Sequence, residues 1–215
     1  MVNSKLVNDV AKYMENLSLT KDSAHDWWHL YRVWNNAKKI AVNENNPDMT
    51  VVELAALLHD ISDWKENDGD SLVGANLARD VLKKFGADEK IIDHVVEIVE
   101  NASKNPANGN LEPKTLEGKI VKDADRLDAI GAIAIARTFT YGGLKKIPIH
   151  DPVVKPDPAE YGKRLSETSI NYFYEKLLLL KEKMNTSTGK EIARERHEFM
   201  EGFLKQFHNE WDGLN

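Results

Sequence analysis

Apolar residues recur every three to four positions along almost the whole of this 215-residue chain, and no run alternates with period two for long enough to define a strand. A 3.6-residue period leaves an apolar stripe along one side of a helix, and that stripe needs another helix to cover it. The spacing therefore predicts an all-α fold, a helical bundle with two long helices at its C-terminal end. Helices are expected over about 3–17, 24–44, 50–62, 70–85, 88–102, 115–139, 160–185 and 188–210.

Two of these starts carry a capping box, Thr50 with Glu53 and Thr188 with Glu191. Gly86 is placed to stop the fourth helix and Asp88 to open the fifth. Residues 141–159 hold four prolines and two glycines, too many for a regular element, so a long loop is expected there, of the kind that serves as a lid. The stripes of the last two helices need partners within the chain, so one domain is expected over 1–215. The same terminal helices also admit a homodimer.

Composition narrows the chemistry. With no cysteine, disulfides and thiolate metal sites are excluded, which leaves His, Asp and Glu as ligands and suggests a reducing, cytoplasmic setting. A net charge of −6, with both signs mixed along the chain, offers no broad cationic surface for extended nucleic acid. The N-terminal stretch is amphipathic and carries acidic residues, unlike a signal or transit peptide, and no apolar run reaches membrane-spanning length, so no membrane partner is expected.

Of the seven histidines, His150, His197 and His208 read as solvated or locally bonded. His25 and His29 differ, because "HDWWHLYRV" places His25, His29 and Arg32 at i, i+4 and i+7, along one face of a helix. "LLHDISDW" sets His59 beside Asp60 at the end of an aliphatic run, about 100° apart around a helix, with Asp63 one turn on. In "KDADRLDAIGA", Asp125 and Asp128 share a face with Val121 and Ala132, whereas Asp123 points away. Buried carboxylates are costly unless paired or bound to metal. A salt bridge to Lys122, Arg126 or Arg137 would account for one of these acids but not for the whole set. His29, His59, Asp60 and Asp125 together supply two imidazoles and two carboxylates from three helices. That donor set suits one divalent transition ion.

"HxxRV" at 29–33, "HD" at 59–60 and "DADRLDA" at 123–129 resemble, in order, the signature of the HD-domain metal-dependent phosphohydrolases. "GAIAIARTFTYGG", "IHDP", "KLLLLKEKMNT" and "RHEFMEGFLKQFHNEW" are similar to a branch of small bacterial HD hydrolases that cleave nucleoside triphosphates, so the resemblance covers most of the chain. It implies hydrolysis of (deoxy)nucleoside triphosphates to monophosphate and pyrophosphate by a metal-activated water. Its alternatives are a 5′-nucleotidase, a phosphodiesterase or a non-catalytic nucleotide sensor.

Carried over, His29, His59, Asp60 and Asp125 match the four metal-ligand positions, with Mn²⁺ first among Fe²⁺, Ni²⁺, Co²⁺, Zn²⁺ and Mg²⁺. Asp63 matches an acidic position proposed to handle the proton. Arg32 is a catalytic candidate, and Arg126, Lys65 and Lys145 are candidates to contact substrate phosphates. Where the branch carries Asn-His-Phe, residues 171–173 read Asn-Tyr-Phe, so Tyr172 is a point at which substrate choice would diverge.

Overall fold

The computed structural model describes residues 2–18, 26–62, 70, 72–102, 112–160 and 166–214. Among them are nine α-helices and no strand, in agreement with the all-α expectation. No helix among the described residues is long and apolar enough to cross a membrane. Residue contacts divide the chain into two units, 1–125 and 126–215.

The first unit contains α1 (Val2–Ser18), α2 (Trp27–Ala41), α3 (Met49–Leu58), α4 (Leu72–Lys84), α5 (Glu89–Ala102) and most of α6 (Leu116–Asp128). Its centre is α3, which packs against α1, α2 and α5. The segment "TVVELAALL" is apolar nearly all round, which is the pattern of a helix with no solvent side. Every residue of it but Glu53 is buried, and Leu54, Leu57 and Leu58 are fully so.

The cap of α3 departs from the expected box. Asp48 is the extended residue, and its Oδ1 accepts from the backbone N–H of Thr50 at 2.9 Å and of Val51 at 3.3 Å. Glu53 instead accepts from the Trp34 indole N–H at 2.8 Å. α9 shows the same two-residue slip, since Thr186 and not Thr188 accepts from Gly189 N at 3.0 Å. Several cap-competent residues stand in a row at both sites, and the one that caps is the one whose backbone is already extended.

The second unit holds α7 (Ala132–Lys145), α8 (Ser169–Tyr172), a π turn (Phe173–Leu177), a 3-10 stretch (Leu178–Lys183) and α9 (Ser187–Trp211). Two expectations are corrected here. The helix predicted over 115–139 is broken after Asp128 and resumes at Ala132, because Gly131 has φ +87 and ψ −159, a backbone region open almost only to glycine. An added Cβ would also meet the Arg196 side chain at 3.1 Å. Gly131→Ala is expected to lower stability by about 1–3 kcal/mol in thermal melts.

The helix predicted within 160–185 is α8 followed by the π and 3-10 turns. Over so short a segment, an apolar stripe does not distinguish 3.0, 3.6 and wider turns. The expected 141–159 loop also begins as helix, since 141–145 complete α7. Gly142 is there for close approach, as its Cβ would lie 2.4 Å from Ser169 Oγ. The connection that follows is clipped to α8 by Ser169 N donating to Pro148 O (2.9 Å) and Ile170 N to Ile149 O (3.0 Å).

Candidate metal centre

All four predicted ligands lie in the first unit, each held by a local device. On α2, the Asp26 carboxylate accepts from His29 N at 3.0 Å, which caps the helix and fixes the first turn that carries His29. His29 is 5% exposed. Arg32, one turn later, is half-buried.

His59 is the C-cap of α3, and Asp60 lies in the turn beyond it, so the pair is not within the helix as the sequence suggested. The chain leaves the helix at "HDIS", whose Asp and Ser have lower helix propensity than the preceding Ala and Leu. A helix C-terminus carries partial negative charge, which favours a cation there.

The His59 ring is oriented by its own helix. Nδ1 lies 2.8 Å from the Ala56 carbonyl oxygen. A carbonyl only accepts, so Nδ1 carries the hydrogen, and in the neutral ring Nε2 presents its lone pair. That Nε2 is buried and has no hydrogen-bond partner. A buried polar atom without a partner calls for a physical explanation, and a carbonyl-oriented imidazole with a free Nε2 is the arrangement metal-binding histidines adopt.

The donor atoms of His29 and Asp125 converge on the same place, and Asp60 stands beside His29. His29 Nε2 lies 3.6 Å from Asp60 Oδ2 and 3.8 Å from Asp125 Oδ1, and His59 Nε2 lies 3.9 Å from the same Asp125 oxygen. The imidazole centroids are 5.4 Å apart, and donor atoms of His29, His59 and Asp125 all lie within 4.8 Å of one another. These spacings are too long for hydrogen bonds. Two ligands about 2.1 Å from a shared ion stand roughly 3.0–4.2 Å apart, so the 3.6–3.9 Å spacings fit a common cation. Two neutral imidazoles with two carboxylates would neutralise a divalent ion. A cavity of about 20 Å³ beside His59, Lys122 and Asp125 has room for one water-sized group.

The expected exposure of two α6 acids is reversed. Asp123, predicted to point away, is fully buried, whereas the Asp125 side chain is 42% exposed. Asp123 stands three residues after Ile120 and four before Leu127, both fully buried, so it lies on the core face of α6. In the second unit Asp128, 2% exposed, pairs with Arg137 Nη1 at 2.9 Å, which is the salt-bridge alternative for that residue. The orienting role of the Ala56 carbonyl was missed, and its only sequence signal is its place three residues before His59.

His25, Asp63 and Lys65 lie outside the described residues. Arg126 and Lys145 belong to the second unit: Arg126 Nη1 donates to the Lys183 carbonyl, and exposed Lys145 sits with Nζ 5.7 Å from the Tyr141 ring. Tyr172, also in that unit, has Lys176 Nζ 5.4 Å from its ring.

Residues 27–130 match the HD domain family. YpgQ of Bacillus subtilis (strain 168), an uncharacterized protein, is 36% identical over 213 residues, or 98% of this chain and 96% of YpgQ. The crystal structure of an HD-superfamily hydrolase from Bacillus thuringiensis is 37% identical, with TM-score 0.80 over 98% of each chain. That of B. subtilis YpgQ in complex with ADP is 33% identical, with TM-score 0.76 over 98% of this chain and 97% of that one.

Proposed function

The chain belongs to the HD superfamily of hydrolases, and from that premise we propose that it hydrolyses nucleoside triphosphates to monophosphate and pyrophosphate. The observation that carries the catalytic part is the buried, partnerless Nε2 of His59 facing a ring of donor atoms. His29, His59, Asp60 and Asp125 hold one divalent ion, with Mn²⁺ first. When bound, such an ion lowers the pKa of water and polarises a phosphoryl oxygen. Nucleotide as substrate class is supported by the motif resemblance and by the ADP complex of the B. subtilis relative.

The remaining work falls to side chains. Asp63, three residues beyond the His-Asp pair, takes the proton from the attacking water. Arg32, on the turn after His29, offsets charge on the phosphates, with Lys65 as a further phosphate contact. The family match ends at residue 130 while the relatives align over 98% of the chain, which supports 1–215 as one functional unit acting on a small nucleotide.

Product analysis tests the reading. With Mn²⁺ and a panel of ribo- and deoxyribonucleoside triphosphates, equimolar monophosphate and pyrophosphate are expected, and EDTA should stop their release. Orthophosphate as sole inorganic product would sink the pyrophosphohydrolase reading in favour of a nucleotidase, and bound nucleotide without turnover would indicate a sensor. Asp63→Asn should lower kcat by about 10²- to 10⁴-fold while leaving metal content unchanged. Loss of the metal in that variant would make Asp63 a ligand instead.

A further inference from the structure

The second unit contains a cleft of about 330 Å³, formed by the 150–156 connection, the α8 and π-turn segment and the end of α9. Its volume is at the low end for small-molecule sites. One wall is aromatic. The Trp211 indole stacks on Phe207 (centroids 5.9 Å, 25°), and the His150 ring stands edge-on to Trp211 at 4.9 Å and to His208 at 5.3 Å.

The polar groups are few and fixed. Tyr174 Oη and His208 Nε2 share a hydrogen bond at 3.2 Å. Asn171, 2% exposed, lines the cleft and is held by its Nδ2 donating to Val154 O at 3.2 Å. Asn171 and Tyr174 flank the start of the π turn, an element that recurs at functional sites.

Two features point to a ligand. Trp211, although anchored by Phe207 and His150, keeps 49% of its surface open where it lines the cleft. His150 Nδ1 is buried without a hydrogen-bond partner, in a ring expected from sequence to be solvated or locally bonded. Burial, then the neighbouring His208, pushes the His150 pKa below the usual histidine range, so the ring is neutral near pH 7. Lys155, which donates to Pro152 O at 3.0 Å, is offset by Asp212 on the same cleft. With Asp151 as a second carboxylate beside His150, the cleft has no preference for an anion, and its rigid ring wall suits a flat, uncharged group.

We propose that this cleft binds a nucleoside, its planar base stacked on Trp211 with the polar edge toward Asn171 and Tyr174, and its sugar hydroxyls within reach of Asp212. The site goes beyond the hydrolytic reading and stands on residues of the second unit alone.

Full-length protein treated with EDTA is titrated calorimetrically with adenosine, guanosine, cytidine and uridine, none of which has a phosphate to bring it to the metal centre. Saturable 1:1 binding of at least one is expected. Trp211→Ala should weaken it by about 5- to 150-fold, the usual effect of removing a stacking ring. Trp211 is half-exposed in the last turn of α9, so the variant should fold, and His208→Ala gives a second reduction that does not rest on one substitution. Asp60→Ala should bind as wild type. No saturable binding of any nucleoside, unchanged affinity in both α9 variants, or loss of binding in Asp60→Ala would overturn the proposal. Failure of triphosphate hydrolysis with nucleoside binding intact would count against the proposed function and leave this site standing.

Discussion

Asp60→Ala is expected to lower hydrolytic turnover by about 10³-fold or more, roughly 4 kcal/mol of barrier, and to abolish binding of the proposed divalent ion. The Asp60 side chain is 24% exposed and lies in the turn after α3, outside the helical hydrogen bonds and the apolar core. Its truncation opens no core cavity. It removes one of two carboxylates facing His29 Nε2, leaving two imidazoles and Asp125 to hold the ion. Metal content by mass spectrometry and circular dichroism of the same preparation check it. A folded, metal-depleted, inactive variant is the expected result. Retained metal and turnover would remove Asp60 from the ligand set, and a collapsed fold would mean that it acts as a structural ion-pair partner.

Phe173→Ala should have the largest effect on stability, a loss of about 3–5 kcal/mol, which for a chain of this size lowers the melting temperature by roughly 10 °C. Phe173 is fully buried in the second unit, stacked on Phe203 (centroids 5.8 Å, 27°) and 6.1 Å from Phe139. Phe139 and Phe203 belong to α7 and α9, so truncation leaves a void that several elements share and that no single side chain can fill. Metal content should be unaffected, because every proposed ligand lies in the first unit. Denaturant titration with metal analysis tests both statements. A loss below about 1 kcal/mol would mean that the aromatic cluster collapses around the gap.

Much of the architecture was legible because helical periodicity is a local property. α1 to α5 lie close to where the apolar spacing put them, and His29 sits on the predicted helix. Misreadings arose where local signals compete. Asp48 and Thr50 can both cap α3, and Thr186 and Thr188 can both cap α9. "DAIGAIAIA" keeps a helical period straight through Gly131, so the break there depends on a backbone angle that composition does not reveal. The π and 3-10 turns after Tyr172 were invisible for a similar reason, since their apolar spacing over so few residues matches an α-helix.

The amino-acid order by itself determined that this is a helical protein and which donor types are available: two histidines, two aspartates and no thiol. Those follow from side-chain chemistry and from periods that a helix imposes over a few turns. Only the tertiary structure decided that donors on α2, at the end of α3 and on α6 stand 3.6–3.9 Å apart, that the Ala56 carbonyl turns His59 Nε2 inward, and that Asp123 is buried while Asp125 stays partly exposed. It also brought His150, Tyr174, His208 and Trp211 around one cleft. Such convergence depends on how helices distant in the chain pack, and packing is set by the sum of many weak contacts that no local window contains.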